Sequence, residues 1–406
     1  MALAPLYAPQ GRFWLDTSDG PMALPEWSSY RVSVPYSGVG GFDLTLPRQG
    51  LNVDRLMSDM QVAVVYEVMD EAGVWSEPPN CRFLPLKRTY QVSEGTVTVA
   101  GAGLGWLLGR VVRGPYLYDD ADYRVGFTAR SAGYILTWFW NAARTRRAVL
   151  GIAPDFDPFH DSNGDDWPET YDLDYDRGVT LRQALEGFES DGLIWRLEGA
   201  KWQATYGAFG DTPTDVPTLF DGIDVAADQV SVDLAEAAGS VLAVGKDGYY
   251  AWAQSEGVGR WGRWEVSQSH GSATGASVDR LAVAERARRG VSKEGATVTL
   301  LPSARFRPFD TIAPGQTVAI RFESPLGTAG YWNQSNWNET YWGGSGRWWE
   351  TQSGVVNELV VADDGKQASV SFSIGSREFS SDDLVRQSVT ALTGGSMVRG
   401  VLAGKV

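Results

Sequence analysis

The sequence predicts an α+β fold that is mainly β, with two β-rich blocks flanking a smaller α+β block and a tail at the end. Three observations predict it. Short stretches of alternating apolar and polar residues recur towards both ends of the chain. Apolar residues at helical spacing are few and concentrate in the middle. Turn chemistry such as Pro314-Gly315 and Asp363-Asp364-Gly365 punctuates the late strands. The expected division is residues 1–112, 113–217 and 218–378, with 379–406 as the tail.

Taken in order, YRVSVP (30–35), FDLTL (42–46), MQVAVVYEV (60–68) and TVTVA (96–100) alternate as half-buried strands do. AGYILTWFWNAA (132–143) reads as the first helix. The second, 180–190, is better signed: Thr180 and Gln183 fit a capping box, and Leu181, Leu185 and Phe188 share one face. It stops at Asp191-Gly192, and 193–197 with 202–206 then reads as a hairpin. Residues 277–288 form a third helix, capped by Ser277 and running into ATVTLL (296–301). The strands TVAIRF (317–322), VVNELVV (355–361) and ASVSFSI (368–374) follow. The Gly-rich carboxy-terminal segment is of a kind that a partner orders.

Composition narrows the function. The chain has 406 residues, room for about two to four ordinary domains. Its net charge of −15 disfavours nucleic-acid and anionic-membrane binding, which rest on Lys and Arg meeting phosphate. An acidic wall is nonetheless one along which a duplex slides without sticking. No apolar run approaches the ~20 residues of a membrane span, and the MALAPLYAPQGRFW start lacks the basic and apolar regions of a secretory signal. Cys81 is the only cysteine, so it is expected to be a small buried hydrophobe without an intrachain disulfide.

Catalytic and cofactor motifs are not in evidence, and neither a catalytic residue nor a cofactor is assigned. His160 and His270 are the only histidines and stand in loop-like stretches without a second histidine at ligand spacing, so both are expected as exposed loop residues. There is no G-x-S-x-G elbow. Gly101-Ala-Gly103-Leu-Gly105 resembles a dinucleotide loop, but its third glycine is misplaced; a strand ending in a flexible turn is the plainer reading.

Two unusual stretches remain. Residues 154–176 carry nine carboxylates and no Lys or Arg. Within them Asp161, Asn163, Asp165 and Asp172 occupy positions one, three, five and twelve of a calcium loop, a weak metal candidate. The loop departs from the pattern in its glycine, in its last ligand and in Pro168. Residues 331–350 interleave Tyr331, Trp332, Trp337, Tyr341, Trp342, Trp348 and Trp349 with Asn, Gln, Ser, Thr and Gly. That composition fits a cross-strand hairpin, a subunit interface or a glycan platform.

Four segments give the chain a family likeness: GGFDLTLPRQGLNVDRLMSDMQVAVVYEV, RTYQVSEGTVTVAGAGLGWLLGRVV, TLRQALEGFESDGLIWRLEGAKW and DRLAVAERARRGVSKEGATVTLLPSARFRPFDTIAPGQTVAIRF. With them the sequence resembles the hub-type minor tail proteins of long-tailed phages, especially actinobacterial siphophages. These are similar to the baseplate hub of contractile tails and to the amino-terminal part of tail-associated lysins. The resemblance implies two tube-like β-barrel or sandwich domains flanking the α+β domain, in a homotrimeric ring that closes the tail tube. The implied partners are the distal tail protein, the tape measure and other minor tail or fibre proteins, with DNA passing through the lumen and no membrane insertion. The implied location is the virion tail tip, after synthesis in the host cytoplasm, and the implied role is structural and non-enzymatic. The alternative is a receptor-binding module that contacts a host surface glycan through the aromatic loop.

Overall fold

The computed structural model describes residues 11–59, 61–70, 72–112, 124–148, 151–209, 216–233, 237–255, 263–290, 293–323, 349–365 and 367–375. In chain order come β1 (Gly11–Thr17), β2 (Gly20–Leu24), β3 (Ser29–Pro35), β4 (Gly41–Pro47), α1 (Val53–Ser58), β5 (Ala63–Met69), β6 (Trp75–Ser76), β7 (Arg82–Gln91) and β8 (Thr96–Gly103). A 3-10 helix at Leu104–Arg110 precedes β9 (Arg124–Ser131), α2 (Ala132–Thr145), β10 (Ala153–Pro154), β11 (Thr170–Asp176), α3 (Leu181–Glu189), β12 (Ile194–Glu198) and β13 (Lys201–Thr205). Next are β14 (Thr218–Phe220), β15 (Val225–Asp233), β16 (Ser240–Val244), β17 (Tyr250–Gln254), β18 (Glu265–Ser269) and α4 (Ala276–Arg289). The last strands are β19 (Lys293–Leu300), β20 (Thr317–Glu323), β21 (Trp349–Asp363) and β22 (Ala368–Gly375). The fold is α+β and mainly β, as the alternating patterns predict.

Local chemistry explains the helices. Thr180 Oγ1 accepts from the Gln183 N–H at 3.1 Å and Gln183 Oε1 from the Thr180 N–H at 2.8 Å, closing the capping box of α3. Ser131 caps α2 by accepting from the Tyr134 N–H at 3.1 Å. The third expected helix, α4, begins at Ala276 with Gly275 in the cap position, not Ser277. The Ser277 hydroxyl instead accepts the Asp172 N–H at 2.7 Å, a tertiary bond that fastens α4 to β11.

The two β blocks form one fourteen-stranded sheet, whose main path runs β15-β19-β22-β21-β3-β4-β8-β7-β5-β1-β2. The join is the antiparallel pair β3–β21, with Val32 opposite Val361 and Val34 opposite Leu359. One face carries Tyr30, Val32, Val34, Phe42, Leu44, Leu359 and Val361 into a single core, shared with Val298, Ile320, Phe372 and their neighbours. Cys81 belongs to that core, and burial pushes its thiol well above the usual range. The glycine-rich stretch is part of the sheet: β8 runs through Gly101 to Gly103, and a Cβ on Gly101 would stand 1.9 Å from the Leu84 carbonyl oxygen. Close strand packing accounts for that glycine without a nucleotide. Gly315, at φ +94°, turns where a Cβ would meet the Tyr36 ring at 2.2 Å.

A second core lies beside the first. The faces of α2 (Ile135, Leu136, Phe139) and α3 (Leu181, Leu185, Phe188) pack with Trp195 and Trp202 of the β12–β13 hairpin. Ala243, Ala251, Ala253, Val278 and Leu281 join this core, so the segment from β16 to α4 packs with the middle block although it lies in the sequence between strands of the large sheet. Asn80 bolts the two cores together. Its N–H donates to Leu197 O at 2.7 Å, its Oδ1 accepts the Leu197 N–H at 2.9 Å, and its Nδ2 donates to Pro35 O at 3.0 Å.

At the β3–β21 join, Glu358 accepts a short hydrogen bond from the Ser33 hydroxyl. Burial pushes its carboxyl above the ordinary value, against the lowering pull of Ser33 and Arg31. A raised folded value means that the folded state binds the proton more tightly. The stability this group contributes is therefore complete below about 4.5, its ordinary value, and is lost as pH rises through the folded value. Glu358→Gln keeps an acceptor for Ser33 and removes that titration. Denaturation from pH 4 to 8 should find the variant at least as stable as the parent near neutrality, with a flatter profile; a variant much less stable at pH 7 contradicts this account. Leu359→Ala should cost about 2–5 kcal/mol in urea unfolding, because Leu359 is wholly buried in the shared core. An unchanged midpoint would mean that the two blocks do not depend on the join.

Candidate functional site

Among the described residues, the segment between β15 and α4 builds a surface suited to a partner. Strands β16, β17 and β18 form a separate three-stranded sheet, with β17 antiparallel and β18 parallel to β16. On its inner face Ala243, Ala251 and Ala253 are buried, and side chains this small let α4 lie close against the strands. The opposite face presents Tyr250, 74% exposed, and Trp252, 43% exposed, two residues apart on β17 and therefore side by side. Val244 and Leu242, their partners in register on β16, are half-buried beside them on the same face. Tyr249 and Trp264 are exposed close by in sequence, so four of the six exposed large aromatics among the described residues fall within 249–264. Exposed Tyr and Trp beside aliphatic side chains are what protein contacts favour. The signal was present in the sequence as YAWAQ, where aromatic and alanine alternate.

A polar network holds this segment against the middle block. The Arg280 guanidinium on α4 lies 4.1 Å over the ring of Tyr171. It bonds Glu169 at 3.0 Å and the Thr170 carbonyl at 2.7 Å, and pairs with Asp191 at 3.3 Å. The Tyr171 hydroxyl donates to Asp191 at 2.7 Å and shares a short hydrogen bond with Tyr206. Burial first, then the neighbouring Tyr206 and Asp191, push Tyr171 far above the usual phenol range, so it stays a neutral donor. Lys246 adds a bond to Asp176 at 3.1 Å.

The residues singled out from the sequence fall as follows. Tyr331, Trp332, Trp337, Tyr341, Trp342 and Trp348 lie outside the described residues; Trp349 opens β21 opposite Glu323. Of the calcium candidates, Asp161 is buried and accepts the N–H groups of Asn163 and Asp165 at 2.9 and 3.1 Å, with Thr205 on its second oxygen. Asn163 donates to Thr205 and Ala208. Asp172 lies on β11, where it accepts the Ala129 N–H at 2.9 Å. Among the described residues no three His, Cys, Asp or Glu side chains gather as a metal site. His160 is a half-exposed loop residue between Asp157, at 3.3 Å, and Asp166, at 3.7 Å. His270 departs from expectation: it is partly buried, and its Nε2 is wholly so. No helix among the described residues is long and apolar enough to cross a membrane.

No family model matches the sequence, and no curated protein matches it either. Solved structures do share the fold. A tail protein from Neisseria meningitidis superposes with a TM-score of 0.55 at 12% identity, covering 91% of this chain and 97% of that one. The 43 kDa tail protein of prophage MuSo2 from Shewanella oneidensis gives 0.53 at 13% identity, over 90% and 96%. Prophage tail protein gp18 from Listeria monocytogenes gives 0.52 at 10% identity, over 94% and 100%. At these identities the likeness is one of fold, and it extends along nearly the whole of each chain.

Arg280→Ala removes two ion pairs and a ring contact and leaves the Asp191 carboxylate, 8% exposed, without its cation. Breaking such a pair costs about 3–5 kcal/mol. Calorimetry should show that loss, and Arg280→Lys should restore little of it, because a point charge replaces neither the fork nor the stacking plane. Near-wild-type stability in Arg280→Ala would remove this network from the account.

Proposed function

We propose that this chain is a structural component of a phage tail and serves as the hub of the tail tip. The observation that carries the reading is the fold shared with three tail proteins over at least nine tenths of every chain compared. In this role three copies form a ring that closes the tail tube, docks on the distal tail protein and meets the tape measure and other minor tail or fibre proteins. DNA passes through the ring during ejection, and a net charge of −15 suits a lumen that must not retain it. The role is non-enzymatic, and the chain resides at the virion tail tip. The large sheet supplies a stiff wall, because both β blocks share one core. The Tyr250–Trp252 face is the contact with a neighbouring tail subunit.

A second reading is a receptor-binding module, favoured by the same exposed rings, which also suit the apolar face of a surface glycan. Adsorption of assembled particles to host cells separates the two. Loss of adsorption with intact particles supports the receptor reading, and failure of assembly supports the contact reading.

Negative-stain microscopy of the protein with its distal tail partner tests the hub directly. Threefold rings with a central hole are expected; monomers alone in that mixture overturn the hub. Replacing Tyr250 and Trp252 together by Ser should leave the folded monomer within about 1 kcal/mol of wild type, since substitutions at exposed sites usually change stability little. Ring formation should weaken in that variant, and rings that persist unchanged would remove this face from the contact.

A further inference from the structure

Helix α2 carries opposite charge at its two ends. Arg144 lies in its last turn and Arg147 just beyond it, and both are exposed. The Arg146 guanidinium donates to the Val112 carbonyl at 2.6 Å, which brings the segment 110–112 against this end of the helix. Arg110 is exposed there, its guanidinium 4.1 Å from the centre of the Trp106 ring. Arg110, Arg144 and Arg147 meet no carboxylate among the described residues. The helix closes with the Arg147 N–H donating to Arg144 O and the Ala148 N–H to Ala143 O, both at 2.9 Å. That closure puts Arg147 at φ +57°, a left-handed position that glycine ordinarily fills. The arginine is therefore held there against the preference of the backbone.

An acidic loop lies on the other end of α2. The Ser131 hydroxyl donates to Pro158 O at 2.6 Å, and a Cβ on Gly133 would stand 2.4 Å from the Asp157 carbonyl oxygen, so the loop rests directly on the first turn. The Trp167 N–H donates to Phe159 O at 3.2 Å, which folds Asp165 and Asp166 back towards Phe159. Asp157, Asp165 and Asp166 are exposed, and Phe159 among them is 74% exposed. Hydrogen bonds from the His160 and Phe159 N–H groups hold the Asp157 carboxyl below its usual range, so it stays charged. The 14 residues of α2 separate the two ends by about 21 Å at 1.5 Å per residue. That exceeds the screening length of ~8 Å in physiological salt, so the two surfaces do not neutralise each other within one chain.

The geometry points to a contact between copies of this chain, in which the surface of Arg110, Arg144 and Arg147 on one copy receives the acidic Phe159 loop of the next. Charge complementarity argues for a second copy as the partner, because each surface supplies what the other lacks. The two surfaces are different, so the contact is heterologous. Copies joined through it build a closed ring or an open filament and not a two-fold dimer. The inference deepens the hub reading by naming the surfaces that join neighbours, and it rests on that reading for closure into a ring.

Sedimentation of the full chain at high micromolar concentration tests the contact. Species larger than a dimer are expected in about 0.1 M salt and should dissociate in about 1 M, where the screening length falls from ~10 to ~3 Å. Arg144→Glu with Arg147→Glu should weaken association by about tenfold or more, and so should Asp165→Lys with Asp166→Lys, because each pair sets like charges face to face. All four substitutions in one chain restore opposite charges. That variant should associate within about threefold of wild type, which also shows that neither reversed surface prevents folding. Arg147→Gly should weaken association while leaving the thermal midpoint unchanged or raised, since glycine relieves the left-handed position and removes the cation. Association that neither reversal weakens, or that the fourfold variant fails to restore, overturns the contact and leaves the hub reading standing. Monomers or a two-fold dimer alone overturn it as well, while rings formed with the distal tail partner decide the hub separately.

Discussion

The structure depends on one pairing, that of β3 with β21. Ser33 and Glu358, hydrogen-bonded across it, are 325 residues apart in the chain. Strand β21 is long because it pairs with β20 in its first half, with β3 in its second, and with β22 along most of its length. The two halves need different phases. Val356 and Leu359 are both wholly buried although three residues apart, which strict alternation forbids. A register shift between Val356 and Glu358 in the β21–β22 pairing resolves the conflict by adding one residue, Asn357. Its carbonyl accepts the Tyr36 N–H at 2.8 Å, so the irregularity itself anchors the end of β3. A slip of one residue at this join would turn Leu359 and Val361 away from the core, and with them the continuity of the sheet.

The smaller core hangs on the end of that sheet through few but specific bonds. Besides Asn80, the Gly38 N–H donates to Trp195 O, and the Trp195 N–H donates to Ser37 Oγ, both at 3.0 Å. Trp195 is fully buried, so these bonds are sheltered from water and from salt. Arg280 and its partners then fix the segment from β16 to α4 against this core. The aromatic face is thus held by networks that reach across chain segments distant in sequence. Its geometry depends on folding of the whole chain, and no short fragment contains it.

What was legible in the sequence follows the range of the interaction. Helix α3 was fully legible, because Thr180, Gln183 and the Leu181–Leu185–Phe188 stripe all lie within three turns. Strands β20 and β22 were legible to within a residue, since their alternation is clean and their turns are marked. Helix α4 was misread at its start because Ser277 serves Asp172, a residue on another strand, and capping rules see only neighbours. The short α1 carries too few apolar positions to register as a period. The β1–β2 hairpin turns at Ser18-Asp19 with Gly20 opening β2, a signal that was present but flanked by strands of only seven and five residues. The union of the β blocks was invisible, since no local pattern encodes a pairing across more than 300 residues. The aromatic weight of the sequence lies in 331–350, whereas among the described residues it is YAWAQ that carries exposed rings.

The same distinction accounts for a fold shared at so little sequence identity. Most of the sheet asks of each position only that it be apolar on one face and tolerant of strand geometry on the other, and many residues satisfy that. Residue identity is demanded at a few places of close contact. Gly101 has no room for a Cβ beside Leu84; Gly315 needs both its positive φ and its missing side chain beneath Tyr36; Asn80 uses donor and acceptor at once. Each of these serves the close approach of two chain segments. A chain whose residue-specific demands fall at such joins can change at most other positions and keep the fold, which is how the architecture outlasts the sequence.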